Sequence, residues 1–382
     1  MQLSVFSAAF VAALVGYGST ITLVLAAAAA LGATPAETAS WVFAVCIAKA
    51  VGSAGLSAYA RVPVVLAWST PGAALIAASE GLSMAEGVGA FVIAGLLILL
   101  TGLVRPLERL VSAIPAGIAA GMLAGVLLPF CLKVPPAAAA EPALILPVVA
   151  VFLAVRLWSP AFAVLAALAT GLALAFAGGT GLPELSLTLP QPVFIAPDWS
   201  MGAMIGLALP LYLVTMASQN LPGFAVLRGA GYTPPVRPAL TVTGALSAIS
   251  AFFGAHTINM AAITAAICLG DDVHPDRAER WKVGLAYGFF WTCLAFFGPL
   301  ILAIFAVLPP ALLVVVVGLA LTAPLIGATA SAFAKPEERF AAATTLVTAA
   351  SGISVFGVGG AFWGLLAGLA VHGLSRATRR IA

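Results

Sequence analysis

Two basic side chains, Lys49 and His256, lie deep inside long apolar stretches, where an ionisable group is costly and is often functional. Lys49 is too far from either end of its stretch for the ammonium to reach water. Such groups offer a counter-charge for an anion or a site for a coupled proton, and histidine suits the second role because it titrates near neutrality. The alternatives are a lysine bonded to freed backbone carbonyls and an ordinary core histidine. His274 and His372 are interpreted as structural.

Further polar and aromatic side chains lie at similar depth. Ser218, Gln219 and Asn220 precede a proline, and they can bond a ligand or satisfy the backbone of a kinked helix. Tyr17 and Trp68 can wall an aromatic ligand or simply pack against neighbours. The four cysteines are far apart and lack metal-binding spacing, so they are interpreted as small hydrophobes, and no metal or cofactor is expected.

The stretch around residue 70 predicts a strand followed by a half-helix. Val62 to Ala67 is short, β-branched and apolar, as in an extended strand. Ser69, Thr70 and Pro71 then supply a hydroxyl cap and a proline for a first helical turn. The N-terminus of this helix is expected near the middle of the apolar layer.

The stretch around residue 257 is predicted to break in the same way. Gly254, Ala255 and His256 precede Thr257 and Asn259, and either of the last two can cap a second half-helix. Two facing helix N-termini present free N–H groups and partial positive charge, so the pair predicts an anion site. The alternative is a pair of kinks between packed helices.

The composition identifies the class of protein that must position these residues. Hydrophobic residues make up 63% of the 382 residues and charged residues 8%, against about 45–50% and 25% in soluble domains. A soluble enzyme, a disordered chain and a nucleic-acid binder are therefore excluded. A spanning helix with its loop takes about 27 residues, so the length predicts about 14 membrane spans in an all-α polytopic protein.

Charge, proline and glycine divide the chain into fourteen segments. Their predicted limits are 5–31, 36–58, 62–79, 84–103, 107–130, 142–157, 160–178, 201–228, 236–252, 254–270, 282–307, 310–332, 338–356 and 358–375. With the N-terminus in the cytoplasm, 14 of the 16 Lys and Arg residues fall in inside loops, Lys133 falls outside and Lys49 lies within a span. The positive-inside rule therefore supports this topology, with both termini cytoplasmic. No basic run precedes the first apolar stretch, so it is interpreted as an uncleaved helix.

Weak internal matches predict two halves of seven segments each, on either side of the polar connector 179–200. The matches pair Gly32 to Pro35 with Gly231 to Pro234, Pro71 to Leu75 with Asn259 to Ile263, and Ile114 to Pro115 with Leu308 to Pro309. Because seven is odd, the second half must be inverted in the membrane. Inverted repeats with broken helices at the midplane are typical of secondary transporters.

With these residues in view, the chain resembles the benzoate transporter family (BenE type), most specifically at Trp68 to Ile76, Ala217 to Phe224, Gly254 to Thr264 and Gly270 to Asp276. The resemblance implies a benzoate/proton symporter of a bacterial inner membrane, related to the uracil-permease-like superfamily of seven-plus-seven inverted repeats. That relation implies an elevator-type movement of a core domain against a gate domain. The core is expected over 1–103 and 201–308, the gate over 104–178 and 309–382, and an external linker over 179–200.

One departure from the uracil-type pattern concerns the substrate. Where those carriers place glutamates in spans 8 and 10, this chain has Ser218 and His256. A glutamate would repel a carboxylate, whereas it suits the N–H donors of a nucleobase. The departure argues against a uracil or xanthine substrate.

These observations lead to a hypothesis for transport. Protonated His256 and the two half-helix N-termini are expected to hold the carboxylate, with the aromatic ring among Trp68, Tyr17 and apolar neighbours; Lys49 is the second candidate for proton coupling. The predicted substrate-binding residues are Tyr17, Trp68, Ser69, Thr70, Ser218, Gln219, Asn220, Gly254, Ala255, His256, Thr257 and Asn259. The expected partners are an aromatic carboxylate, protons and the lipid bilayer, with no nucleic acid, and a homodimer is possible. A carrier of another small organic anion and an uncoupled anion channel are the alternatives, while no enzyme motif is legible.

Overall fold

The computed structural model describes residues 2–104, 114–160, 162–181, 189–261, 263–355 and 358–381. The start of predicted segment 5, the middle of the predicted linker and the end of predicted segment 13 lie outside these ranges. Within them the protein is mostly helical, and six helices are long and apolar enough to cross a membrane, with a seventh if one bent pair is counted. The count of fourteen spans remains a prediction.

Most of the helices lie at or near the predicted segments. Their bounds are Leu3–Gly18, Ile21–Ala30, Pro35–Ala60, Thr70–Ala77, Met84–Leu103, Ala116–Leu132, Val134–Ala140, Pro142–Trp158, Ala163–Ala177, Met201–Gly229, Val236–Ala251, Ile263–Ile267, Lys282–Phe296, Gly298–Ala306, Pro310–Ala332, Arg339–Ala350 and Gly360–Ile381. Four short strands complete the described chain: β1 (Leu66–Trp68), β2 (Ile258–Met260), β3 (Ser354–Val355) and β4 (Val358–Gly359).

Two of the long helices begin with a capping box. Thr34 caps segment 2 by accepting from the Glu37 amide, and the Glu37 carboxylate accepts from the Thr34 amide in return. Ser83 and Glu86 form the same reciprocal pair at the start of segment 4. These capping boxes satisfy N–H groups that would otherwise be unpaired at a helix end.

Two segments predicted as continuous are broken. Segment 1 is interrupted at Ser19 and Thr20, whose hydroxyls donate to the Val15 carbonyl at 2.5 Å and the Gly16 carbonyl at 2.8 Å. Hydroxyl back-bonding of this kind competes with the helix ladder and bends it. Segment 11 bends by 51° before its second helix, Gly298–Ala306, where Pro299 supplies no backbone donor.

Segments 3 and 10 each contain a strand followed by a helix. In segment 3, β1 leads into the helix Thr70–Ala77. In segment 10, β2 leads into the single short turn Ile263–Ile267, which is much shorter than the predicted half-helix. Segment 13 is also shorter than expected: its helix ends at Ala350, and the antiparallel pair β3–β4 precedes segment 14.

The helices pack in two groups. In one, segment 4 packs along segment 9, and segment 2 packs along segment 11 together with segment 1. In the other, segment 5 packs against segments 12, 13 and 14. Glycines permit the close approach: a Cβ at Gly244 would meet the Leu99 backbone, and one at Gly121 would lie 2.5 Å from the Ala342 carbonyl oxygen.

Candidate functional site

The two strands that precede the short helices pair with each other in the interior. β1 and β2 are antiparallel, with Trp68 opposite Ile258 and Leu66 opposite Met260. The ladder continues beyond them, because the Ser69 amide donates to the Thr257 carbonyl at 2.9 Å. The extended backbone at this depth is thus satisfied by its partner strand, as the interior of a membrane protein requires.

Ser69 caps the helix that follows β1. Its hydroxyl accepts from the Gly72 amide at 3.1 Å and from the Thr215 hydroxyl at 3.0 Å, and Thr215 also contacts the Thr257 hydroxyl at 2.9 Å. The cap therefore links segments 3, 8 and 10 in one buried network. The next residue, Thr70, lines a cavity between the two helix groups.

His256 lies behind this network and is fully buried. Its Nδ1 is 3.0 Å from Trp41 Nε1, and its Nε2 is 3.2 Å from the Ser69 carbonyl oxygen. An indole N–H can only donate and a carbonyl can only accept, so Nδ1 accepts, Nε2 donates and the ring is the neutral Nε2–H tautomer. His256 does not line the cavity, and its predicted contact with substrate remains a prediction.

A cavity of about 590 Å³ lies between the two helix groups, which is within the ordinary range for a small-ligand site. Five of the predicted site residues line it: Lys49, Trp68, Thr70, Ser218 and Gln219. Segment 8 contributes the last two from a π-helical turn over Met216–Asn220, a local widening that is frequent at functional sites.

Lys49 reaches the cavity from a cage of aromatic rings. Its Nζ lies 3.0 Å from the ring centroid of Trp291 and 4.0 Å from that of Trp68, and the two rings meet edge to face at 5.2 Å. The Trp68 indole is held in place by donating to the Thr20 hydroxyl at 2.7 Å. In the described part of the chain no carboxylate forms an ion pair with Lys49. The groups that stabilise its ammonium form are therefore ring faces rather than an acid.

The opposite wall, from segments 5 and 12, is small and apolar. It includes Ala119, Ala120, Leu123, Ala320 and Ala323. A wall of this kind can pack against an aromatic ring without competing for its polar substituent. Arg156 of segment 6 adds a second cation to the cavity lining.

The remaining predicted residues support the site from behind. Tyr17 packs against Trp68 and Trp291, with ring centroids 5.8 Å from each. The Asn220 side chain accepts from the Met260 amide at 2.9 Å, and Asn259 donates to Gln219 at 3.4 Å.

Gly254, Ala255 and Thr257 are buried outside the cavity lining. Sequence reasoning missed Trp291, although a tryptophan near the middle of a span is unusual because this residue favours membrane interfaces.

Comparison with known proteins identifies the family of this chain. The family model described as "Benzoate membrane transport protein" (BenE) matches residues 1–374. The chain is 39% identical to "Inner membrane protein YdcO" of Escherichia coli (strain K12), over 94% of this chain and 93% of that protein. It is 34% identical to the "Benzoate membrane transport protein" of Acinetobacter baylyi (strain ATCC 33305 / BD413 / ADP1), over 97% of this chain and 95% of that protein.

This chain belongs to the benzoate membrane transport protein family. The resemblance inferred from the sequence is thereby confirmed, and the protein is a membrane transport protein rather than an enzyme. Its fold is shared with the transmembrane domain of the cyanobacterial bicarbonate transporter BicA, with a TM-score of 0.62, 13% identity and coverage of 97% of this chain and 98% of that one.

Proposed function

We propose that this protein carries benzoate, or a similar aromatic carboxylate, across a bacterial inner membrane together with a proton. The observation that carries the proposal is the cavity in which Lys49, caged by two tryptophans, faces an apolar wall. A carboxylate supplies the counter-charge that Lys49 lacks among the described residues. The family membership and the name of the Acinetobacter relative favour benzoate among the possible anions.

The substrate is oriented by the polar and apolar sides of the cavity. Its carboxylate meets Lys49 and the N-terminal end of the helix that begins at Thr70, where a helix favours negative charge. Its ring lies between the Trp68 indole and the alanines of segments 5 and 12. Ser218 and Gln219 complete the polar side, so the selectivity is for one anionic group on an apolar body.

Proton coupling follows from the charge of the substrate. The negative interior of a bacterium opposes entry of one anion by about 2.3 kcal/mol per 100 mV. Transport of one proton with each carboxylate removes that cost and lets a pH gradient drive accumulation.

The proposed movement is a displacement of one helix group against the other. Segments 1–4 and 8–11 form the core, which holds Lys49, the paired strands and Ser218, and segments 5–7 and 12–14 form the gate. The alanine-rich gate wall offers few protrusions, which favours sliding of the core in an elevator-type cycle. With both termini cytoplasmic, as predicted, the cavity residues Ile114, Arg156 and Ser331 lie toward the inside, so the described state faces the cytoplasm.

Uptake of radiolabelled benzoate into proteoliposomes tests the proposal, with the pH gradient and the membrane potential imposed separately. Accumulation above the outside concentration under a pH gradient is expected. Uptake that only equilibrates would indicate the uncoupled channel. If other organic anions compete and benzoate does not, the substrate is another carboxylate.

A further inference from the structure

We infer that Lys49 carries the coupled proton, and that His256 stays neutral and positions the paired strands. The inference rests on the proposed function and assigns different roles to the two buried basic residues. The observations that separate them are their hydrogen-bond partners and their access to the cavity.

Lys49 has access to substrate and lacks a counter-charge. Its side chain lines the cavity, and no carboxylate within the described ranges forms an ion pair with it. The titratable side chains around the cage are Tyr17 of segment 1, Cys46 of its own helix, His256 of segment 10 and Tyr287 of segment 11. None of these supplies a negative charge near neutral pH, so a bound carboxylate is the group that completes the ion pair.

His256 does not line the cavity, and both of its hydrogen-bond partners are neutral. Trp41 and the Ser69 carbonyl occupy its two ring nitrogens, and a second proton would set Nδ1–H against the Trp41 N–H. The ring therefore holds one proton on Nε2 and uses it to fix the Ser69 carbonyl. Because Ser69 caps the helix that begins at Thr70, His256 acts on the substrate site only through this helix start.

The charges balance through a complete cycle. The empty carrier has Lys49 as a neutral amine; a proton and a carboxylate bind together, and Lys49 becomes an ammonium paired with the carboxylate. Loaded and empty carriers then have the same net charge, so the membrane potential does not favour either movement. One proton per substrate gives about tenfold accumulation for each unit of pH gradient at equilibrium.

Three variants and one control in proteoliposomes test the assignment, each measured for net uptake under a pH gradient and for exchange of internal against external benzoate. Lys49→Arg keeps a permanent charge, so we expect exchange to persist while pH-driven accumulation is lost. His256→Gln offers the Ser69 carbonyl an amide N–H, so we expect accumulation with the wild-type pH profile but a weaker apparent affinity for benzoate. His256→Ala offers no donor, so we expect a larger loss of apparent affinity. Lys133→Arg, an exposed lysine on the predicted outer side, is the matched control and accumulates normally.

The outcomes separate this inference from the proposed function. If the wild type does not take up benzoate, the proposed function fails. If the wild type accumulates benzoate and Lys49→Arg does so to the same extent, or if His256→Gln exchanges without accumulating, the assignment is overturned. If Lys49→Arg loses exchange as well, the variant Lys49→His decides the question. We expect Lys49→His to accumulate benzoate with a pH profile displaced to more acidic values. A wild-type pH profile, or no transport at all, refutes the assignment.

Discussion

Replacement of Trp291 by leucine tests whether the aromatic cage stabilises the Lys49 ammonium. The Lys49 Nζ lies 3.0 Å from the Trp291 ring centroid, and the ring is wholly buried. A desolvated cation–π contact contributes about 0.5–2 kcal/mol. Since about 1.4 kcal/mol corresponds to a tenfold change in affinity, Trp291→Leu is expected to weaken benzoate binding about 2- to 30-fold near neutral pH. The loss arises because binding must then charge a lysine that has lost one of its two ring faces.

Isothermal titration of the purified protein with benzoate, repeated over a series of pH values, measures this effect. The deficit of Trp291→Leu is expected to shrink as the pH falls, because a higher proton concentration favours the ammonium in both proteins. Trp281→Leu is the matched control, since Trp281 also faces a cation, but that cation is Arg61, at 4.2 Å, and not Lys49. An unchanged affinity in Trp291→Leu, or a deficit of the same size at every pH, would refute the role of the cage.

Two further predictions concern contacts between helices of the same group. Gly244→Ala sets a methyl group against the Leu99 backbone and is expected to cost about 1–3 kcal/mol, seen as a lower unfolding temperature in detergent, whereas Gly55→Ala points into open space and is expected to be neutral or slightly stabilising. Equal unfolding temperatures in the two variants would contradict the close contact. Glu338→Ala removes the carboxylate that accepts from the Gly117 amide at 2.8 Å, and is expected to cost about 1–3 kcal/mol by the same measurement. Glu338→Gln keeps an acceptor, so its unfolding temperature should fall less. An equal fall in both variants would show that this hydrogen bond contributes little to stability.

The sequence was sufficient to name five of the residues that line the cavity. Proline, a hydroxyl cap and a short apolar stretch were enough to predict the strand before Thr70, where the structure has β1. A break was also predicted around residue 257, but Asn259 lies within β2 and does not cap a helix as expected. The position of Lys49 deep within a membrane span could be inferred, because an ionisable residue inside an apolar stretch stands out in a chain with only 8% charged residues. These features are local, so a single sequence carries them.

Features that depend on contacts between distant segments were not predictable in the same way. The Lys49 cage joins segment 2 to Trp291 of segment 11, and the partner that fixes His256 is Trp41, 215 positions away. No periodicity links such residues, because their contact is set by how whole helices pack. The break of segment 1 at Thr20 was missed for a related reason, since back-bonding hydroxyls also occur in continuous helices.

The distribution of polar groups across the cavity bears directly on the proposed cycle. Lys49, Thr70, Ser218 and Gln219 all belong to the proposed core, while the gate faces them mainly with alanine and leucine. If the gate held the carboxylate as well, each movement of the core would have to break a charged contact, and that cost would slow transport. In the proposed cycle the recognition groups move together, so the ion pair crosses intact and the gate need only exclude water on one side. Arg156 of the proposed gate is the exception, because it also lines the cavity.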